Sequence, residues 1–287
     1  MFERLNKLYY YCLCFREEMI KLTAQYQYED NQVGDEDAFA REPFILRFCC
    51  PSTVVKDLVL IPVHTKPEDS VKELDELYDV VNAVRQWKTN NIMILGDFNA
   101  DGRYLSKKKK ESIRISSDPF YWLIDDDVDT TTSNYNDNTY DRIVVYGEEM
   151  LGAIVPDSAK SFNFQVEFGL TDENAGNISD HYPVEVELET VQKAVKPKKK
   201  ALPRTRKRSP KEKAQRKSLF ISTNRIRKYD QAIKIQDFWS KKEKRTITCI
   251  QDANKKATLS HFNQSLPNSW FIRSSCSLYF CGKLNVE

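Results

Sequence analysis

Four short segments of this sequence carry side chains able to move protons or hold cations, and each adjoins an apolar run. In Pro62-Val63-His64-Thr65 a histidine closes such a run, where it can serve as general acid or base or as a hydrogen-bonded structural residue. In Gly96-Asp97-Phe98-Asn99-Ala100-Asp101 the acid and the amide stand two apart, on one face of an extended segment. An anionic and a neutral oxygen so placed suit Mg²⁺, which takes few protein ligands and keeps several waters. The same letters also suit a tight turn, since Gly and Asn tolerate unusual dihedrals. In Tyr140-Asp141-Arg142-Ile143-Val144 an acid enters a strand, free to orient an imidazole or to pair with its own neighbour Arg142. In Ser179-Asp180-His181-Tyr182-Pro183-Val184 adjacent Asp and His side chains point to opposite sides. The carboxylate can then bind metal while the imidazole is held by a second carboxylate, with Asp141 the best candidate. A turn with an exposed histidine is the alternative.

The elements that must position these groups follow from periodicity. Residues 44–48 and 54–63 read as strands, the second bounded by Pro51 and Pro67. A helix follows, with Ser70 and Glu73 spaced as a capping box and Val71, Leu74, Leu77, Val80, Val81, Val84 and Trp87 at helical intervals. Residues 92–95 form a short strand stopped by Gly96, residues 101–140 are rich in loops, and strands at 142–146 and 184–188 close the body. Strands around a helix with alternation at the end predict a mixed α/β (α+β) sheet protein.

A net charge of +2 conceals a division: residues 1–192 carry −17, residues 193–217 carry +12 and residues 218–287 carry +7. The run 193–217 has thirteen Lys/Arg against Glu212 alone, and no apolar period, so it is expected to be a disordered linker after a body spanning 1–190. Its core, 198–208, reads as a nuclear-targeting or nucleic-acid-tethering run. Residues 218–287 reveal neither fold nor role. No apolar run approaches the roughly 18 residues of a membrane span, and the first residues do not read as a signal peptide. Seven cysteines without a CxxC pattern are expected to be reduced, buried thiols of an intracellular protein of the cytoplasm or nucleus.

Taken in order, His64-Thr65, Gly96–Asp101, Tyr140–Val145 and Ser179–Val186 resemble the deoxyribonuclease I branch of the endonuclease/exonuclease/phosphatase superfamily. The likeness also takes in Tyr26–Asp30, Phe39–Pro43, Glu76–Val80, Trp122–Ile124 and Asp129–Thr131, and covers residues 11–189 almost continuously. It implies a four-layer α/β/β/α sandwich with the active site at one end. It implies His64 and His181 as the acid/base pair, Asp141 orienting His181, and Asp97, Asn99 and Asp180 as ligands of Mg²⁺ or Mn²⁺. Arg41 matches an arginine that enters the minor groove, Tyr140 is a second substrate contact, and Asp129 with Thr131 resembles part of a Ca²⁺ loop. The implied activity is hydrolysis of double-stranded DNA with little sequence preference, by a monomer that needs no membrane.

Two departures qualify this. A disulfide that the family's extracellular members carry would fall on Gly102 and Asn138, so the chain is nearer the cytosolic members of fishes. The family's N-terminal segment, which supplies a metal-binding glutamate and a glutamate partner for the first histidine, has no counterpart here. The chain is therefore expected to be a truncated relative with bare sheet edges, an unpartnered His64 and weakened activity. The competing reading is an inactive relative that binds nucleic acid through its basic tail.

Overall fold

The computed structural model describes residues 20–31 and 38–191 in full, together with the backbone of four strands at 9–15, 246–253, 256–262 and 276–281. In chain order the elements are β1 (Tyr9–Phe15), β2 (Lys21–Gln27), β3 (Phe44–Cys49), β4 (Asp57–His64), α1 (Ser70–Arg85), β5 (Ile92–Asp97), α2 (Lys107–Lys110), β6 (Phe120–Trp122), β7 (Asp141–Tyr146), α3 (Gly147–Gly152), β8 (Lys160–Ser161), α4 (Phe164–Phe168), α5 (Asp172–Ile178), β9 (Val184–Leu188), β10 (Thr246–Ala253), β11 (Lys256–Phe262) and β12 (Cys276–Cys281).

They build two six-stranded sheets. One runs β2-β3-β4-β5-β7-β6 and the other β11-β10-β1-β12-β9-β8. In the first, β4 and β5 are parallel and joined by α1, while the remaining pairs are antiparallel. Period-two alternation sends alternate side chains to opposite faces. Leu46, Phe48, Leu58, Leu60, Met93, Leu95, Ile143 and Val145 share a core with Val184, Val186 and Leu188 of the second sheet. Ile45, Val59, Ile61, Val63, Ile92, Ile94 and Val144 share another with Leu74, Leu77, Val80, Val81 and Val84 of α1. Helix, sheet and sheet are thus three layers of the expected sandwich. All six residues of β5 are buried, as a strand covered on both faces requires.

Three expectations change. The strand expected from residue 54 begins at Asp57, because Cys50 N–H donates to Lys56 O (2.8 Å) and Val54 N–H to Glu189 O (2.9 Å), closing a turn across the two sheets. The capping box does not form. A 3-10 turn over Pro67–Asp69 precedes α1, so Asp69 takes the cap position and Ser70 becomes the first helical residue. Glu73 instead accepts the Lys66 N–H at 3.0 Å. Of the cysteines with described side chains, both free, Cys50 is buried but Cys49 is exposed, since it occupies the outward face at the end of β3.

The segment beyond residue 218 supplies three strands of the second sheet. β12 lies between β1 and β9, with Leu278 opposite Val186 and Phe280 opposite Val184. Because β9 pairs with β8 on its other side, it is not an edge. The basic run 193–217 lies outside the described residues. Among the described residues no helix is long and apolar enough to cross a membrane.

Candidate active site

The ends of three neighbouring strands bring the expected side chains into one row. His64, the last residue of β4, pairs in register with Asp97, the last of β5, and Asp97 pairs with Asp141, the first of β7. His64 Nε2 stands 3.4 Å from Asp97 Oδ2. The expectation that His64 lacks a carboxylate neighbour is therefore corrected, since the parallel pairing of β4 with β5 delivers Asp97 to it.

Beyond β5 the chain does not stay extended. Gly96 has φ 142° and Asn99 φ 46°, a left-handed turn that asparagine tolerates. Asp97 Oδ1 accepts the Asn99 N–H at 2.9 Å, and Asn99 Nδ2 donates to Thr65 O at 3.0 Å. Thr65 returns two bonds, from its N–H to Asp97 O (3.0 Å) and from its hydroxyl to Phe98 O (2.8 Å). The turn reading and the site reading thus hold together: the turn fixes the strand end that carries the acid.

His181 reaches the row from the second sheet. Its Nδ1 lies 2.6 Å from Asp141 Oδ2, as expected of an orienting pair. The segment Asp129–Thr132 carries it there. Thr131 bridges to His181, Tyr182 N–H donates to Thr130 O (2.8 Å) and Thr132 N–H donates to Asp180 O (3.0 Å). Thr130 Oγ1 accepts the N–H groups of Tyr140 (3.0 Å) and Asp141 (3.1 Å). Burial disfavours charge on His181, but the Asp141 charge and hydrogen bond, with Asp97 and Asp180 behind them, push its pKa up to about 10. For Asp97, burial holds the carboxyl above its usual range, against the pull of His181 and His64. The other carboxylate oxygen of the pair, Asp141 Oδ1, is buried without a partner.

Arg142 does not pair with Asp141. Fully buried, it donates to Thr139 O (2.9 Å), Ile124 O (2.9 Å) and Ala100 O (3.1 Å) and meets Asp126 Oδ1 at 2.7 Å, tying three loops behind the site. Tyr140 stacks on His181, with centroids 6.0 Å apart and planes 30° apart. Arg41 Nη1 donates to His64 O at 3.0 Å, which places it at the first histidine's loop. Asp180 is exposed and reaches His181 through its charge. In the expected calcium loop, Asp129 Oδ1 accepts both the N–H and the hydroxyl of Thr131 at 2.9 Å, so one oxygen is committed to the turn itself. A methyl added at Gly102 would stand 3.3 Å from Asn138 Oδ1, so the two positions that lack the disulfide do face each other.

Asp97, Asn99 and Asp180 offer the hard oxygen donors that Mg²⁺ takes. With its NH₂ committed to Thr65 O, Asn99 keeps its amide oxygen as acceptor. Among the described residues no group of three or more His, Cys, Asp or Glu side chains is arranged to hold an ion. Of the expected trio, the turn joins Asp97 and Asn99, and Asp180 stands next to His181 in the chain. The residues that sequence reasoning missed are Thr65, Thr130, Thr132 and Glu73. The run Thr130-Thr131-Thr132 beside an acid was the one local signal, and all three of its members are buried.

No protein-family model matches the chain. Deoxyribonuclease gamma of Mus musculus is 47% identical over 182 residues, covering 63% of this chain and 59% of that protein. Deoxyribonuclease-1 of Oryctolagus cuniculus is 44% identical over 181 residues, covering 62% and 64%. The catalytic domain of human Nocturnin is similar with a TM-score of 0.35 and 15% identity, over 50% of this chain and 52% of that one. The chain spans about three fifths of the length of the curated relatives it matches. These relatives bear out the resemblance to deoxyribonucleases drawn from the motifs.

Proposed function

We propose that this chain is a divalent-cation-dependent endonuclease that hydrolyses phosphodiester bonds of duplex DNA with little sequence preference. The observation that carries the reading is the Asp141–His181 pair at 2.6 Å, set beside His64 and Asp97 at the ends of adjacent strands. His181, held as an imidazolium, donates its Nε2 proton to the leaving oxygen as the P–O bond breaks. His64, whose Nε2 faces Asp97, accepts the proton of the attacking water as the new P–O bond forms. A Mg²⁺ or Mn²⁺ ion held by Asp97, Asn99 and Asp180 would neutralise charge developing on the phosphoryl oxygens. Arg41 and Tyr140 flank the two histidines and contact the substrate. The relatives named above are deoxyribonucleases, which favours DNA as the substrate. A monomer, directed to the nucleus by its basic run, completes the reading.

A second reading, an inactive relative that binds nucleic acid through its basic run, draws on the net charge of +12 over residues 193–217. Plasmid nicking with Mg²⁺ or Mn²⁺, against an EDTA control and His181→Ala, separates the two. The nuclease reading expects cation-dependent nicking that falls about 10²–10⁴-fold in the variant. Nicking that survives EDTA, or an unchanged rate in the variant, overturns it.

A further inference from the structure

The domain is acidic, yet one stretch of it is not. Residues 103–110 hold Arg103 and Lys107–Lys110, five of the nineteen Lys/Arg among residues 1–192, without an acid between Asp101 and Glu111. Arg103, Lys107, Lys108 and Lys109 are exposed, and among the described residues none of them is in an ion pair. Lys110 differs. It turns inward to Asp126 Oδ1 at 2.5 Å, over the Trp122 ring at 4.2 Å, and shares that aspartate with Arg142. One lysine thus anchors the turn α2 and the other three face out. Lys107 and Lys110, three apart on the turn, repel, and among the described residues only Lys110 recovers that cost through an ion pair.

The stretch also adjoins the site. The Arg103 guanidinium lies 4.7 Å from the Tyr104 ring centroid, Tyr104 lies 6.0 Å from Tyr140, and Tyr140 lies 6.0 Å from His181. Duplex DNA carries one negative charge per about 1.7 Å of axis. A duplex seated at His181 that continues over Tyr140 and Tyr104 brings phosphates to Arg103 and α2. The exposed acids Asp125 and Asp127 beside Asp126 weaken the field at long range but leave contacts to individual phosphates intact.

We propose that Arg103 and Lys107–Lys109 form a phosphate-contacting strip that holds the backbone of the duplex beside the candidate active site. The proposal rests on the nuclease reading for its ligand, so its test reads binding rather than cleavage. The full chain, K107Q/K108Q/K109Q, R103Q and the control K88Q, whose lysine is exposed before the opposite end of β5, are titrated against a fluorescent duplex in EDTA across salt. Each lost contact flattens the log–log salt slope by about 0.9, so the triple variant is expected to lose about 2 to 3 and R103Q about 0.9. K88Q should match the parent. Unchanged slopes in the triple variant and R103Q, or an equal loss in K88Q, overturn the strip. R103Q leaves α2 untouched and keeps the test decisive if the triple variant fails to fold. A chain that loses slope as expected but never nicks plasmid overturns the nuclease reading and leaves the strip standing. Normal nicking with unchanged slopes does the reverse.

Discussion

At the scale of single residues, Glu73 shows how a side chain outside the row governs it. It is 2% exposed in the first turn of α1 and accepts the Lys66 N–H at 3.0 Å, while the Ala40 N–H bonds to it from the segment that carries Arg41. It therefore joins the Arg41 segment to the loop that follows His64. Burial pushes its pKa up to about 7, only partly offset by those two N–H groups and by Arg41. A carboxyl with a folded-state pKa above its unfolded value of 4.5 binds its proton more tightly in the folded protein. Its contribution to stability is thus complete below pH 4.5 and is lost as pH rises through about 7. Glu73→Gln keeps an oxygen that can accept the Lys66 N–H but cannot ionise. Denaturant unfolding of the two proteins should diverge in the variant's favour between pH 4.5 and 7, and parallel profiles would refute the assignment. The residues of the row itself were legible because each adjoins an end of an apolar run. The role of Glu73 was not, because the Ser70 spacing offered a local partner and the real ones lie across a 3-10 turn and on another strand's loop.

At the scale of elements, the strands β3, β4, β5, β7 and β9 and the long helix were readable from apolar spacing, whereas the ties between loops were not. Arg142 is the clearest case. Pairing with its sequence neighbour Asp141 was one of two roles open to that acid, yet the arginine's charge goes to Asp126 and its other donors to carbonyls of three loops. Nothing in a one-dimensional pattern marks such a partner. A second tie joins the loop after β5 to the entry of β7. Asp101 Oδ2 accepts the Thr139 N–H at 2.8 Å, next to the facing pair Gly102 and Asn138. Asp101→Ala should cost about 1 kcal/mol, a drop of a few degrees in Tm, and should slow nicking because this bond holds the loop that follows Asn99 against the entry to Asp141. A melt and a rate both equal to the parent's would show that the tie is idle.

At the scale of the whole molecule, the basic run falls between strands of one sheet in chain order. Residues 193–217 stand between β9 and β10, and both strands belong to the second sheet. Deleting 193–217 in frame should leave the melt nearly unchanged while weakening duplex binding and flattening its salt dependence by about 0.9 per lost contact. Removing 218–287 should lower the melt, because β9 then loses β12 and bares a row of unpaired N–H and C=O groups. Deletions with the opposite pattern would mean that the C-terminal strands do not belong to the sheet. The sequence could not disclose β10 and β12 as sheet members, since β1, the partner they share, lies at the other end of the chain. That separation also has a kinetic side. Tyr9 stands opposite Asp252 and Cys12 opposite Cys281, so β1 must find strands that follow most of the chain. Closing so long a loop adds little to the equilibrium cost, which grows only as the logarithm of its length, but it slows the search. The first sheet, built from near neighbours, can collapse on α1 well before the second is zipped. In that interval β9 offers its open side to any extended chain nearby, and the protein should refold cleanly when dilute and clump when concentrated.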